Sequence, residues 1–123
     1  MILVADSGST KCDWMFSGIT PVPRLFESVG LNPYFLKKEQ IIREVKKTFK
    51  DITVTKFTKV YFYGSGCSTD AYKEHIRSSL AEVFTNALEH LGEKLGISEG
   101  VTGRASFFAL IISLALTSAK LFG

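Results

Sequence analysis

Ile2-Leu3-Val4-Ala5-Asp6-Ser7-Gly8-Ser9-Thr10-Lys11-Cys12-Asp13-Trp14 decides how the rest of this 123-residue chain is read. The apolar run Ile2 to Ala5 suits a buried central strand, and Asp6 to Thr10 suits a tight glycine turn at its end. From Lys11 to Ser17, the residues Cys12, Trp14 and Phe16 alternate with Lys11, Asp13 and Met15, a period of two that predicts a second strand and therefore a hairpin. A glycine turn of this kind brings backbone N–H groups close to an anion, while Ser7, Ser9, Thr10 and Lys11 add hydroxyl donors and positive charge. Asp6, at the strand end, offers the hard oxygen ligand that Mg²⁺ takes through water.

Composition sets the frame around this hairpin. The chain is 46% hydrophobic and 22% charged with ten Phe, which excludes a disordered polymer and fits one compact domain. A net charge of +3, with Lys and Arg interspersed among acids, gives no basic patch for nucleic acid. The two cysteines, Cys12 and Cys67, have no metal-binding spacing and are expected as buried thiols in a reducing compartment. Asp6 interrupts the first apolar run too early for a signal peptide, so a cytoplasmic location is expected.

Beyond the hairpin, Arg24 to Val29 predicts a third strand with Leu25 as its inward residue. Lys37 to Phe49 places Ile41, Ile42, Val45 and Phe49 at helical spacing opposite a lysine-rich side. Lys59 to Tyr63 predicts another strand that ends at Gly64-Ser65-Gly66. Ser68, Thr69 or Asp70 then caps a second helix carrying Tyr72, Ile76, Leu80, Val83 and Ala87 on one side. Three strands, a helix, a strand and a helix predict an α/β fold with a mixed sheet and flanking helices. His75 and His90 lack ligand-spaced partners and are expected at the surface or in packing.

Asp6 to Trp14 resembles the first phosphate motif of bacterial N-acetylglucosamine kinase-like proteins and of the BadF/BadG/BcrA/BcrD ATPases, within the actin/hexokinase/Hsp70 superfamily. Gly30-Leu-Asn-Pro-Tyr-Phe35 resembles the loop in which that family places a sugar-contacting Asn. Val60-Tyr-Phe-Tyr-Gly-Ser-Gly-Cys-Ser-Thr69 is similar to its strand-to-helix glycine segment. The resemblance implies a ribonuclease-H-like, actin-like N-terminal lobe over residues 1–85. It implies ATP and Mg²⁺ as cofactors and an amino sugar such as N-acetylglucosamine as substrate. Asp6 would help position Mg²⁺, and Gly8, Ser9, Thr10 and Lys11 would cradle ATP phosphates. Asn32, Gly64 and Gly66 would approach the sugar.

The resemblance stops near Thr85, where the family continues to a catalytic Asp, a second phosphate motif and a second lobe. No Asp follows Asp70. No catalytic residue is therefore assigned, and Glu89 and Glu93 read as solvated helix charges rather than a substitute base. Residues 86–123 are expected to be a divergent tail from a truncated or frameshifted product, inactive as an isolated chain. Within it, 105–119 is an uncharged run between Arg104 and Lys120, short for a membrane span and better suited to a buried or interface helix. That run could cover the lobe, drive homo-oligomerisation or promote aggregation. The rival functions are an ATPase that activates a partner protein and a non-catalytic nucleotide- or sugar-binding module.

Overall fold

The computed structural model describes residues 1–17 and 24–93. The hairpin forms as its alternation predicts. Strand β1 (Ile2–Ser7) runs antiparallel to β2 (Lys11–Ser17), and Gly8 N donates to Lys11 O at 2.8 Å to close the turn. Strand β3 (Arg24–Val29) adds antiparallel to the far side of β2.

Helix α1 (Lys38–Thr48) follows, opened by Lys37 N donating to the Gln40 side-chain carbonyl at 2.8 Å. This satisfies one of the backbone donors that a helix start leaves without an intrahelical partner. A 3₁₀ turn, Val54–Lys56, leads into β4 (Lys59–Gly64), which lies parallel to β1. Helix α2 (Asp70–Val83) is capped by Thr69, whose hydroxyl accepts from Tyr72 N at 3.2 Å. The chain then returns as β5 (Leu88–Glu93), parallel to β4. The sheet order is β3-β2-β1-β4-β5.

Period-two alternation sends Leu3, Ala5, Cys12, Trp14, Phe16, Val60 and Phe62 to one sheet face, where both helices cover them. Ile41, Val45 and Phe49 reach this core from α1, and Ile76, Leu80 and Val83 from α2. Phe49 joins Trp14, Phe26, Phe57 and Phe84 edge-on, with centroids 4.9 to 5.9 Å apart. These are the separations and tilts that aromatic quadrupoles favour.

Three sequence expectations need correction. Leu25 is not the inward residue of β3. It is 50% exposed, and its neighbour Phe26 packs on the core instead because β2 pairs Trp14 with Phe26. Leu88–Glu93 forms a strand, not a helical tail, so Glu89 and Glu93 are strand residues. Ala87 lies beyond the end of α2, although it still packs against the core.

The 105–119 run lies outside the described residues. Among the described residues, no helix is long and apolar enough to cross a membrane.

Candidate functional site

The ends of β1 and β4 deliver the three glycine-bearing segments to one place. Ser7, whose side chain turns toward the helix-covered face, organises them. Its hydroxyl accepts from Leu31 N at 2.9 Å, and its carbonyl accepts from Ser65 N at 2.9 Å. One residue of the first motif is therefore bonded to both of the others. Ser7 is only 1% exposed, so neither bond competes with water.

Close backbone approach reinforces this meeting. A Cβ on Gly30 would lie 2.4 Å from Gly8 O and 2.8 Å from Ser9 O, so only glycine lets this loop back onto the β1–β2 turn. Gly66 has φ of +87°, and a Cβ there would lie 2.6 Å from the Asn32 side-chain oxygen. Gly64 is buried against the Phe62 ring, at the point where β4 gives way to the turn before α2.

Asn32 serves the loop itself. Its side-chain oxygen accepts from Tyr34 N at 2.9 Å, and its backbone carbonyl accepts from Phe35 N and Leu36 N, both at 3.1 Å. This Asx turn presents Tyr34 at the lip. There the Tyr34 hydroxyl is 3.4 Å from Ser68 Oγ and its ring meets Tyr72 at 4.2 Å. His75 adds a clamp behind the loop, with its Nε2 2.7 Å from Leu36 O.

Ser9, Thr10 and Lys11 are exposed at the hairpin tip. Lys11 lies 3.9 Å from Glu27 in an exposed pair, which a phosphate could displace at a cost of under about 1 kcal/mol. Asp6 points to the opposite sheet face from Ser7, as strand alternation requires, and stands directly across from Asp13 of β2. Two carboxylates on one face beside the hairpin tip supply the oxygen donors that suit Mg²⁺. Asp6 and Asp13 and the Asn32 loop thus share the same strand end but approach it from different sides of β1.

Motif reading gave Gly30, Ser65, Tyr34 and Asp13 no role and took Ser7 only as a hydroxyl donor at the turn, not as the residue that joins the three segments. Asp13 and Ser7 are legible only once the hairpin register is fixed, whereas Gly30 already stood in the quoted loop. Among the described residues, no group of three or more His, Cys, Asp or Glu side chains could hold a metal ion. The Cys67 thiol, buried beside this turn, is pushed up to about 11, chiefly by burial and partly offset by Lys73. At neutral pH it is a packed thiol rather than a nucleophile.

No protein-family model matches the chain, and no curated protein matches it at a significant level. A solved structure from Porphyromonas gingivalis, provisionally described as an N-acetylglucosamine kinase, resembles it with a TM-score of 0.62 and 29% sequence identity. The match covers 78% of this chain and 35% of that one, so the present chain spans about a third of the length of its solved neighbour. The five-stranded mixed sheet with two helices is accordingly a kinase-like fold.

Proposed function

We propose that this chain is the ribonuclease-H-like first lobe of an ATP-dependent amino-sugar kinase of the N-acetylglucosamine kinase type. The observation that carries this reading is the joining of three separate glycine segments through Ser7, its hydroxyl to Leu31 N and its carbonyl to Ser65 N. The likeness to a structure described as such a kinase supports it.

In this reading Gly8, Ser9, Thr10 and Lys11 receive ATP phosphates, and Asp6, with Asp13 across the hairpin, faces the accompanying Mg²⁺. The metal supplies neutralisation of phosphate charge. Gly66 and Gly64 let the strand-to-helix turn approach a sugar closely. Asn32 holds the adjoining loop in shape and Tyr34 forms its rim. Phosphoryl transfer also needs a carboxylate that accepts the hydroxyl proton and a facing lobe that excludes water. No residue of this chain is assigned those tasks, so the lobe is expected to bind without turning over.

Titration calorimetry with Mg-ATP and separately with N-acetylglucosamine tests the proposal. Saturable Mg-ATP binding that Asp6→Ala abolishes is the expected result, with sugar binding detected independently and no ADP released in a coupled assay. Absence of nucleotide binding by the folded chain would sink the kinase-lobe reading. Nucleotide binding with no response to the sugar would instead support an ATPase lobe without a sugar site.

A further inference from the structure

The loop that carries Asn32 is strung between two side chains on different elements. At its start Leu31 N donates to the Ser7 hydroxyl of β1 at 2.9 Å, and at its end Leu36 O lies 2.7 Å from His75 Nε2 of α2. A carbonyl oxygen can only accept, so Nε2 carries the proton and His75 is the donor. The hydrogen-bond ladder of α1 opens at Lys37 O, which accepts from Gln40 N and Ile41 N. Leu36 O stands just outside that ladder and takes its partner from the other helix.

The sequence of α2 places His75 there. Tyr72, His75, Ser79 and Glu82 recur at i, i+3, i+7 and i+10, one stripe of the helix. This stripe meets the segment from Tyr34 to Lys38 in order: the Tyr72 ring meets Tyr34 at 4.2 Å, His75 takes Leu36 O, and Glu82 pairs with Lys38 Nζ at 2.9 Å. The Lys38–Glu82 pair is exposed on both sides and Tyr34 is half exposed, so water competes for the two outer contacts. The middle one is partly buried and grips backbone rather than a movable side chain.

The loop between its two anchors has little slack. Asn32 O accepts from Leu36 N at 3.1 Å, so Leu36 is tied to Asn32 on one side and to His75 on the other. The same loop lies against the Gly66 turn, where a Cβ would stand 2.6 Å from the Asn32 side-chain oxygen, 3.0 Å from Pro33 Cδ and 3.1 Å from a Tyr34 ring carbon. Any shift of the loop alters this contact directly.

We propose that His75 is a positioning residue for the amino-sugar site: through Leu36 O it sets how the Asn32–Phe35 loop lies against the Gly66 turn. This role rests on the reading of Asn32, Gly64 and Gly66 as sugar-facing, and it gives His75 no sugar contact of its own.

Two substitutions in the full chain test it. His75→Leu removes the donor, and His75→Gln returns an N–H close to the position of Nε2. Hydrogen exchange reads the Tyr34, Phe35 and Leu36 amides, all of which donate to Asn32. In His75→Leu they are expected to exchange about 3- to 10-fold faster relative to the amides of β1, the weight of one hydrogen bond, and N-acetylglucosamine affinity by calorimetry should fall by a similar factor. His75→Gln should restore both, which a purely packing role would not produce. Unchanged loop exchange in His75→Leu, or a His75→Gln chain as impaired as His75→Leu, would overturn the proposal. Faster exchange with unaltered sugar affinity would overturn it too, while leaving the sugar reading standing. A wild-type chain that binds no N-acetylglucosamine would remove that reading itself, and the proposed role with it, whatever the variants show.

Discussion

At Gly30 the fold has no room for a single extra carbon. The atoms a Cβ would meet are the backbone carbonyl of Gly8 and the carbonyl carbon and oxygen of Ser9, none of which can rotate aside as a side chain would. Gly30→Ala therefore has to push the hairpin tip away, and overpacking of this kind costs about 1–3 kcal/mol. Thermal unfolding of the variant is expected to fall by on the order of 10 °C. Because the displaced atoms belong to the turn proposed to receive phosphate, nucleotide affinity should fall as well. Gly66→Ala meets a different obstacle, a φ of +87° that L residues rarely adopt, together with contact on the Asn32 amide. Its cost is expected near 1–2 kcal/mol, with the hairpin tip left in place. Scanning calorimetry beside Mg-ATP titration separates the two variants. Equal loss of nucleotide binding in both would contradict the separate placement of the two segments around β1.

At the scale of elements, α2 is anchored at its start by one hydroxyl, that of Thr69, accepting from Tyr72 N. Thr69→Ala removes the hydroxyl that accepts from Tyr72 N, leaving only the Asp70 charge in the first turn to favour that end, and should cost about 1 kcal/mol, measured as a shift in urea midpoint. Thr69→Asp restores an acceptor and should recover most of the loss. This helix was legible in advance because Ser-Thr-Asp stands before a 3.6-residue pattern, and the hairpin was legible because its alternation is strict. Two other elements were not. Leu88-Glu-His-Leu-Gly-Glu93 has little strand character of its own, and it forms β5 because the open edge of β4 presents backbone groups that need partners. In β3 both Leu25 and Phe26 are apolar, so the sequence cannot say which turns inward. The β2 register decides it by pairing Phe26 with Trp14, whose indole N–H then donates to Ser28 Oγ at 2.9 Å. The site followed the same rule, since the motif strings located the loops but not the Ser7 bonds that tie them together.

For the whole molecule, burial of thiols in an aromatic core links stability to alkaline pH. Cys12 lies beside Trp14 in β2, and burial raises its pKa far above the usual 9.0, with the Asp13 and Asp6 carboxylates adding to the shift. Cys67 is raised from 9.0 to about 11, and burial also raises the Tyr63 phenol. In each case the folded state holds the proton more tightly than the unfolded chain does. Stability from these groups is therefore fully present below their unfolded pKa values and is lost as pH rises toward the folded ones. For Cys67 that window runs from about pH 9 to about pH 11. The urea midpoint, followed by Trp14 fluorescence, is expected to be level from about pH 7 to 8.5 and to fall steadily from about pH 9. Cys67→Ala, which removes one titrating group, should make that fall shallower even if it lowers the neutral-pH midpoint through lost packing. A midpoint that stays level to about pH 10.5 would mean that the thiols reach solvent in the folded chain, and the sheet could not then be packed as described.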